Sequence, residues 1–350
     1  MTDARELNER EQQILQAVVN SYITTADPVG SRSVVKRFEL GLSPATVRNV
    51  MADLEEMGYL QQIHTSSGRI PTDAGYRYYV NYLMHVQELT LRERNRIEHE
   101  FTEKLNDADE VLQHTSQLLA LISNQAGLAE SPGDDHAYVN RIEVMSVSTH
   151  RVVMLIVDNY GRVRTQTVNL DEAVHPDQLQ ALSRFLNDHL YRVRLDGLSG
   201  AIENQLKTFL DERRKTAELA LRLLGLAPQQ TRKQLFLEGA GHLFAQPEFQ
   251  GVDRAKEVFD LFEERTVLAE VLRNALADER RVSTSIHIGR IGDEFGLEDI
   301  SVVASPYYCK DEPIGMIGVL GPRRMPYSRL TSIVDYTAGM VSRMLTHLAR

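Results

Sequence analysis

Apolar residues recur at helical spacing three times within the first 57 residues, with turn-forming residues between the runs. Ile14, Leu15, Val18 and Val19 mark the core face of a helix over Asn8–Tyr22, opened by Asn8 and Glu11 as a capping box. Thr24 to Gly30 is loop by composition, and Ser31 caps a short helix through Phe38 with Val34, Val35 and Phe38 inward. Glu39-Leu40-Gly41 turns the chain into a third helix. Ser43 is its N-cap, and Pro44 takes the first helical position, where a missing N–H costs nothing. Val47, Val50, Met51 and Leu54 form the buried stripe, so Ala45, Arg48, Asn49 and Ala52 fall on the opposite face. Gly58 stops the helix, Tyr59–Ile63 reads as a strand, His64–Gly68 turns, and Arg69-Ile70 starts a return strand before Pro71. This is the order of a winged helix-turn-helix, whose slim third helix fits a major groove and whose wing reaches the neighbouring phosphates.

Thr72 caps a further helix over Asp73–Met84, rich in Tyr76, Tyr78, Tyr79 and Tyr82; the first three read as packing residues, with a phosphate contact by one hydroxyl as the alternative. Thr90 and Glu93 open another capping box for a helical pattern that continues to about Asn124. Ala126–His136, with Gly127, Pro132, Gly133, Asp134 and Asp135, reads as a loop. Val139–Ser148, Arg151–Val157 and Val163–Asn169 form an antiparallel meander, followed by an amphipathic helix over Pro176–Leu190. Tyr191–Arg281 is helical in pattern, most clearly at Ser199–Leu226 and Asp253–Ala277. Strands resume at Thr284–Ile288, Ile300–Ser305 and Ile314–Leu320, and a helix over Tyr327–Leu348 closes the chain. The pattern predicts an α+β multidomain protein in three units. They are a winged-helix domain over 1–84, an αβ domain from 85–190 and 282–350 with a leading long helix, and an inserted, mainly helical subdomain over 191–281.

Composition adds limits. A chain of 350 residues, 42% of them apolar, has ample core for two or three domains. The single Cys309, a buried or partly buried thiol near a strand end, excludes an intrachain disulfide framework and a multi-cysteine zinc site. The N-terminus is charged and has no apolar h-region, and the longest apolar run, Val152–Val157, is far too short for a bilayer. A cytosolic protein is expected, with no membrane partner. Net charge is −10, and residues 1–84 hold 8 Lys/Arg against 10 Asp/Glu. The acids cluster at Asp3–Glu11 and Asp53–Glu56, whereas Arg32, Lys36, Arg37, Arg48, Arg69 and Arg77 lie where a DNA face would be. Weak non-specific binding and a greater dependence on base contacts follow.

The DNA-contact set expected from this pattern is Ser43, Ala45, Thr46, Arg48, Asn49, Ser67 and Arg69. For Arg48 and Asn49 the bland alternative is a solvated helix face; for Arg69 it is an ion pair with Asp73. Ile202, Leu206, Phe209, Leu219 and Leu223 serve either intrachain core or a dimer interface. No catalytic constellation is present: Gly-x-Ser-x-Gly, His-Glu-x-x-His, Gly-x-x-x-x-Gly-Lys and Gly-x-Gly-x-x-Gly are all missing. Gly239-Ala240-Gly241 is a turn or helix start, Asp134-Asp135-His136 a solvated charge run, and the histidines show no paired metal spacing. No enzyme, cofactor or metal site is expected.

Two segments carry a resemblance. The first is Leu42-Ser43-x-Ala45-Thr46-Val47-Arg48-Asn49-x-Met51-Ala52-x-Leu54-Glu55, followed by Gly68-Arg69-x-Pro71-Thr72-x-x-Gly75-Tyr76-Arg77. The second is Gly318-Val319-Leu320-Gly321-Pro322-x-Arg324-Met325-x-Tyr327. Both resemble the HrcA family of heat-inducible transcription repressors. That resemblance implies a winged helix, a GAF-like domain and an inserted dimerising domain. It further implies a homodimer on double-stranded DNA at the inverted-repeat operator called CIRCE, upstream of chaperone genes. Release on heat stress and support of the active form by the GroE chaperonin are implied with it. Rival readings are a small-molecule-sensing regulator with an effector in the GAF-like domain, and a winged helix used for protein contact.

Overall fold

The computed structural model describes residues 7–63, 68–101, 107–169, 175–198, 234–274, 284–289 and 299–349. Helix α1 (Glu9–Thr25) starts in the expected capping box, with Glu11 N donating to Asn8 at 3.0 Å and Asn8 N donating to Glu11 at 2.8 Å. Helix α2 (Ser31–Arg37) uses Gly30 as its N-cap, so Ser31 is instead its buried first residue. Helix α3 (Pro44–Glu56) packs on α1 and α2 through Val47, Met51 and Leu54. Strands β1 (Leu60–Gln62) and β2 (Arg69–Pro71) pair antiparallel, Gln61 opposite Ile70. Val29 exchanges two 2.9 Å backbone hydrogen bonds with Arg69, which ties the α1–α2 loop to the hairpin. Helix α4 (Asp73–Tyr78), capped by Thr72, runs into a single π-helical turn over Tyr79–Leu83.

Two helices stand where one long helix is expected. Helix α5 (Leu91–Glu100) ends at Phe101, and α6 (Ala108–Ser123) starts afresh behind Asp107, whose carboxylate accepts from Glu110 N at 2.8 Å. An aspartate offered to free N–H groups favours a cap over a helix interior. The expected loop after α6 contains strand β3 (Ala126–Glu130), buried along its whole length. Its sequence Ala-Gly-Leu-Ala-Glu shows neither alternation nor β-branching, because both faces are covered and α6 lies very close. A Cβ on Gly127 would sit 2.0 Å from the Ser116 carbonyl oxygen.

Strands β4 (Val139–Ser148), β5 (Arg151–Asp158) and β6 (Val163–Asn169) form the expected meander, but as a separate three-stranded sheet in the order β4-β5-β6. Helix α7 (Pro176–Leu190) covers one face and builds its own core from Leu179, Leu182 and Leu186 against Ile142, Met154 and Ile156. The five-stranded sheet is assembled from β3, β7 (Leu235–Glu238), β8 (Ser285–Ile288), β9 (Ile300–Cys309) and β10 (Glu312–Pro322). Its order is β7-β3-β10-β9-β8, antiparallel throughout. The pairing therefore cuts across the expected units: β7, from the stretch assigned to the insert, pairs with β3, while the meander stands apart.

Helices α8 (Ala240–Phe244), α9 (Val252–Glu263) and α10 (Arg265–Asn274) contribute Leu243, Val258, Leu261 and Leu268 to one face of the five-stranded sheet. The other face is covered by α6 and α11 (Tyr327–Leu348). The core on that second face is continuous with the core beneath α3, so the winged helix is welded to the sheet layer. Ser199–Leu226, with Ile202, Leu206, Phe209, Leu219 and Leu223, lies outside the described residues, as does Ser67. No helix of the described residues is long and apolar enough to cross a membrane.

Candidate nucleic-acid interface

Ser43, Ala45, Arg48 and Asn49 are exposed on one side of α3, while Thr46 is half-buried. The Ser43 hydroxyl accepts from Thr46 N at 3.1 Å, and the two hydroxyl oxygens are 2.9 Å apart. Those hydroxyls serve the helix start first. Asp53 and Glu56 are exposed toward the other end of the helix, which leaves Arg48 and Asn49 as the long polar groups facing outward in its first half. Both can make paired hydrogen bonds to a base edge, an arginine to guanine and an asparagine to adenine. The N-terminal end of the helix dipole adds partial positive charge at the same end.

Six cations were expected on this side, and the structure divides them. Arg32, Lys36, Arg37 and Arg48 are exposed and hold no ion pair among the described residues. Arg69 does not face outward: its Nε donates to Glu55 Oε2 at 2.8 Å and its side chain is 15% exposed. The ion pair is thus with Glu55 rather than with Asp73, and a side chain so engaged argues against a wing contact to the backbone. The two backbone bonds to Val29 seat Arg69 beneath the hairpin, within reach of the last turn of α3. Arg77 is also used internally, with Nη2 donating to the Ile288 carbonyl at 3.1 Å. Nothing in the local sequence signals the Glu55 partner, because the pair spans a hairpin.

The tyrosines are packing groups, as expected for Tyr76, Tyr78 and Tyr79. Tyr76 is fully buried, edge-on to Tyr327 at 6.1 Å, and burial pushes its hydroxyl well above the ordinary tyrosine range. Tyr79 donates to Asn20 Oδ1 at 2.9 Å, and Tyr78 packs edge-on to Tyr59 at 5.3 Å.

Away from this face, Asp134 is not a solvated charge. Arg164 clasps both its oxygens, at 2.5 and 3.1 Å, with both side chains nearly buried. His136 lies between Asp135 and Glu312, and among the described residues no three metal-ligating side chains converge. Gly239 is the N-cap of α8, in keeping with a helix start, and Cys309 is a buried thiol at the end of β9. A cavity of about 590 Å³ lies between the end of the winged helix and α11, floored by Val80, Met84, Leu89 and Ile286. Five of its polar groups already hold hydrogen bonds, and Asn81, Glu88 and Arg94 line it as well. Thr284 bonds Asp335 at 3.2 Å, Thr331 donates to the Tyr327 carbonyl, Ser332 to Gln87, and Tyr336 to Glu98.

The family model described as HrcA protein C terminal domain matches residues 109–331. The heat-inducible transcription repressor HrcA of Geobacter sulfurreducens is 38% identical over 348 residues, covering 99% of each chain. The protein of the same name from Pelotomaculum thermopropionicum is 34% identical over 348 residues, covering 98% of each. Among solved structures, a crystal structure titled only as a hypothetical protein matches 98% of this chain and 100% of its own, with a TM-score of 0.64 at 24% identity. It is similar in fold. With a family match over more than half its length and relatives aligned nearly end to end, the chain belongs to the HrcA family.

Proposed function

We propose that this chain is a heat-inducible transcription repressor that binds a CIRCE-type inverted-repeat operator upstream of chaperone genes as a homodimer. Each protomer inserts α3 into a major groove, Arg48 and Asn49 read base edges, and Arg32, Lys36 and Arg37 of α2 lie against the flanking phosphates. The observation that carries this reading is the outer face of α3: a capped helix with small residues and two exposed side chains, Arg48 and Asn49, that hold no hydrogen bond or ion pair to other described residues. In this reading Ser43 and Thr46 act through the helix cap, Ala45 lets the groove wall approach, and Ser67 belongs to the wing.

Domain limits follow the cores. Residues 1–84 are the reading unit, and β3 with β7–β10 forms the GAF-like body. The inserted dimerising unit begins near Val139 rather than at Tyr191, because β4–β6 and α7 share a core of their own. Residues alternating with that core, Met145, Val153, Leu155, Val157 and Val163, lie exposed or half-buried on the other face of the sheet. A second copy covers them, with Ile202, Leu206, Phe209, Leu219 and Leu223 extending the contact. On heating, separation of the copies releases the operator and exposes apolar surface that the GroE chaperonin holds, returning the protein to its active form. The effector-sensing reading finds less support, since five of the polar groups around the cavity described above already hold hydrogen bonds.

The test is binding of the full-length protein to a chaperone-promoter fragment and to a scrambled fragment across a salt series. A repressor of this kind prefers the promoter by about 10³-fold or more at physiological salt. Equal affinity for both fragments would remove the operator reading.

A further inference from the structure

The two family-like segments meet in space, and the residue between their quoted positions, Arg323, joins them. Arg323 follows β10 and lies at the end of the five-stranded sheet where β8 ends and β9 begins. Its Nη1 donates to Asp73 Oδ1 at 2.5 Å, across 250 residues, and its Nη2 donates to Asp299. Asp299 is held in turn by Arg254 at 3.3 Å, and the Asp299 carbonyl accepts from Arg323 N at 3.0 Å. Asp73 is the first residue of α4, directly after the wing strand β2. Gly289, at φ +80°, lets the chain pass the Asp73 carboxylate: a Cβ there would lie 2.3 Å from Asp73 Oδ2. Beside this ion triad, Arg77 bonds the Ile288 carbonyl, and Tyr76 packs on Tyr327, whose hydroxyl donates to the Arg323 carbonyl. A second seam joins the linker after the winged helix to α11, with Gln87 N donating to the Ser328 carbonyl at 3.2 Å and Ser328 donating to His85.

We propose that Arg323 is a positioning residue for operator binding, clamping Asp73 so that α3 is held at one angle to the sheet body. Arg323 touches no DNA. Its effect passes through α4 and the wing to the reading helix. In a dimer, the angle of each α3 to its body sets the distance between the two reading helices, and hence the half-site spacing that is accepted. The clamp is thus a specificity device for spacing, and it rests on the proposed reading as a dimeric operator binder. Neutral contacts alone would hold the winged helix on the body but leave it free to rock about the linker seam. A guanidinium that reaches two carboxylates at once removes that freedom, which a lysine's single point charge does less well.

The test uses the full-length protein with Arg323→Gln, Asp73→Asn and the double variant. Binding is measured on the inverted repeat at its natural spacing and with a half-turn insertion. Each single variant should fold, and should reduce the preference for natural spacing by about three- to tenfold, the modest size reflecting partial exposure of the pair. The double variant should lose no more than Arg323→Gln alone, because the contact that Asp73→Asn weakens is already gone. Arg323→Lys should restore part of the preference. Independently of DNA, spin labels at Gln61 and Asp260, in protein diluted with unlabelled chains, should give a narrow distance distribution in wild type and a broad one in both single variants. Narrow distributions throughout, or an unchanged spacing preference, overturn the clamp. Loss of wild-type preference for the inverted repeat overturns the operator reading beneath it, which the label distances do not depend on.

Discussion

Arg69 illustrates what a single side chain does when its partner is far away in sequence. An arginine at a hairpin tip suggests a phosphate contact, yet here it holds Glu55, and both groups are largely covered. Arg69→Ala should therefore lower operator affinity about three- to tenfold by loosening the hairpin from α3 while leaving the log–log salt slope unchanged. A slope reduced by about one unit would return Arg69 to the phosphate backbone. Asp109 is a second residue whose surroundings set its behaviour. It lies in the first turn of α6, one carboxylate oxygen is buried with no hydrogen-bond partner among the described residues, and burial raises its pKa despite the pull of Arg162. Arg164 also lowers it, while Asp107 and Asp158 raise it. A carboxyl whose folded pKa is raised stabilises the protein below the ordinary aspartate pKa of about 4, and that contribution is lost as pH rises through the folded value. Asp109→Asn should thus melt a few degrees higher than wild type near pH 7, the gap closing toward pH 4. A variant that melts lower at pH 7 would mean that attraction to Arg162 outweighs burial.

At the level of elements, legibility followed exposure. Helices α1, α3, α7 and α11 and the meander strands have one wet face, so their periods of 3.6 or 2 are written in the sequence and their ends fall close to expectation. Strand β3 is covered on both faces and consists of small residues, so it carries no period and read as a loop. The grouping of strands into sheets was not legible either, since pairing between β3 and β7 depends on contacts more than 100 residues apart. The three-stranded sheet gives this level its test. The outer face carries Val153, Leu155 and Val157 down the central strand, flanked by Glu143 and Thr165, and among the described residues α7 covers only the inner face. Leu155→Glu or Val163→Glu should leave circular dichroism unchanged and convert the proposed dimer to monomer in sedimentation. Dimers that survive both changes would place the contact elsewhere.

For the whole molecule, α3 and the hairpin that follows it are not independent of the body behind them. The core beneath α3 continues through Tyr76 and Tyr327 into α11, and Asp73 is tied to Arg323 at the sheet end. The outward side chains of α3 were legible from helical spacing, because a capped amphipathic helix declares its own faces. The junction was not, because its partners lie at opposite ends of the chain and become neighbours only on folding. Everything proposed for the assembly depends on α3 reading bases. The most direct measurement is the ratio of affinities for operator and scrambled DNA, in wild type and in Arg48→Ala, at one salt concentration. Loss of a paired contact to one base should reduce that ratio by roughly five- to 150-fold, the equivalent of about 1–3 kcal/mol, with scrambled-DNA binding falling far less. An unchanged ratio, with both affinities falling together, would contradict base reading by Arg48 and leave it a phosphate contact.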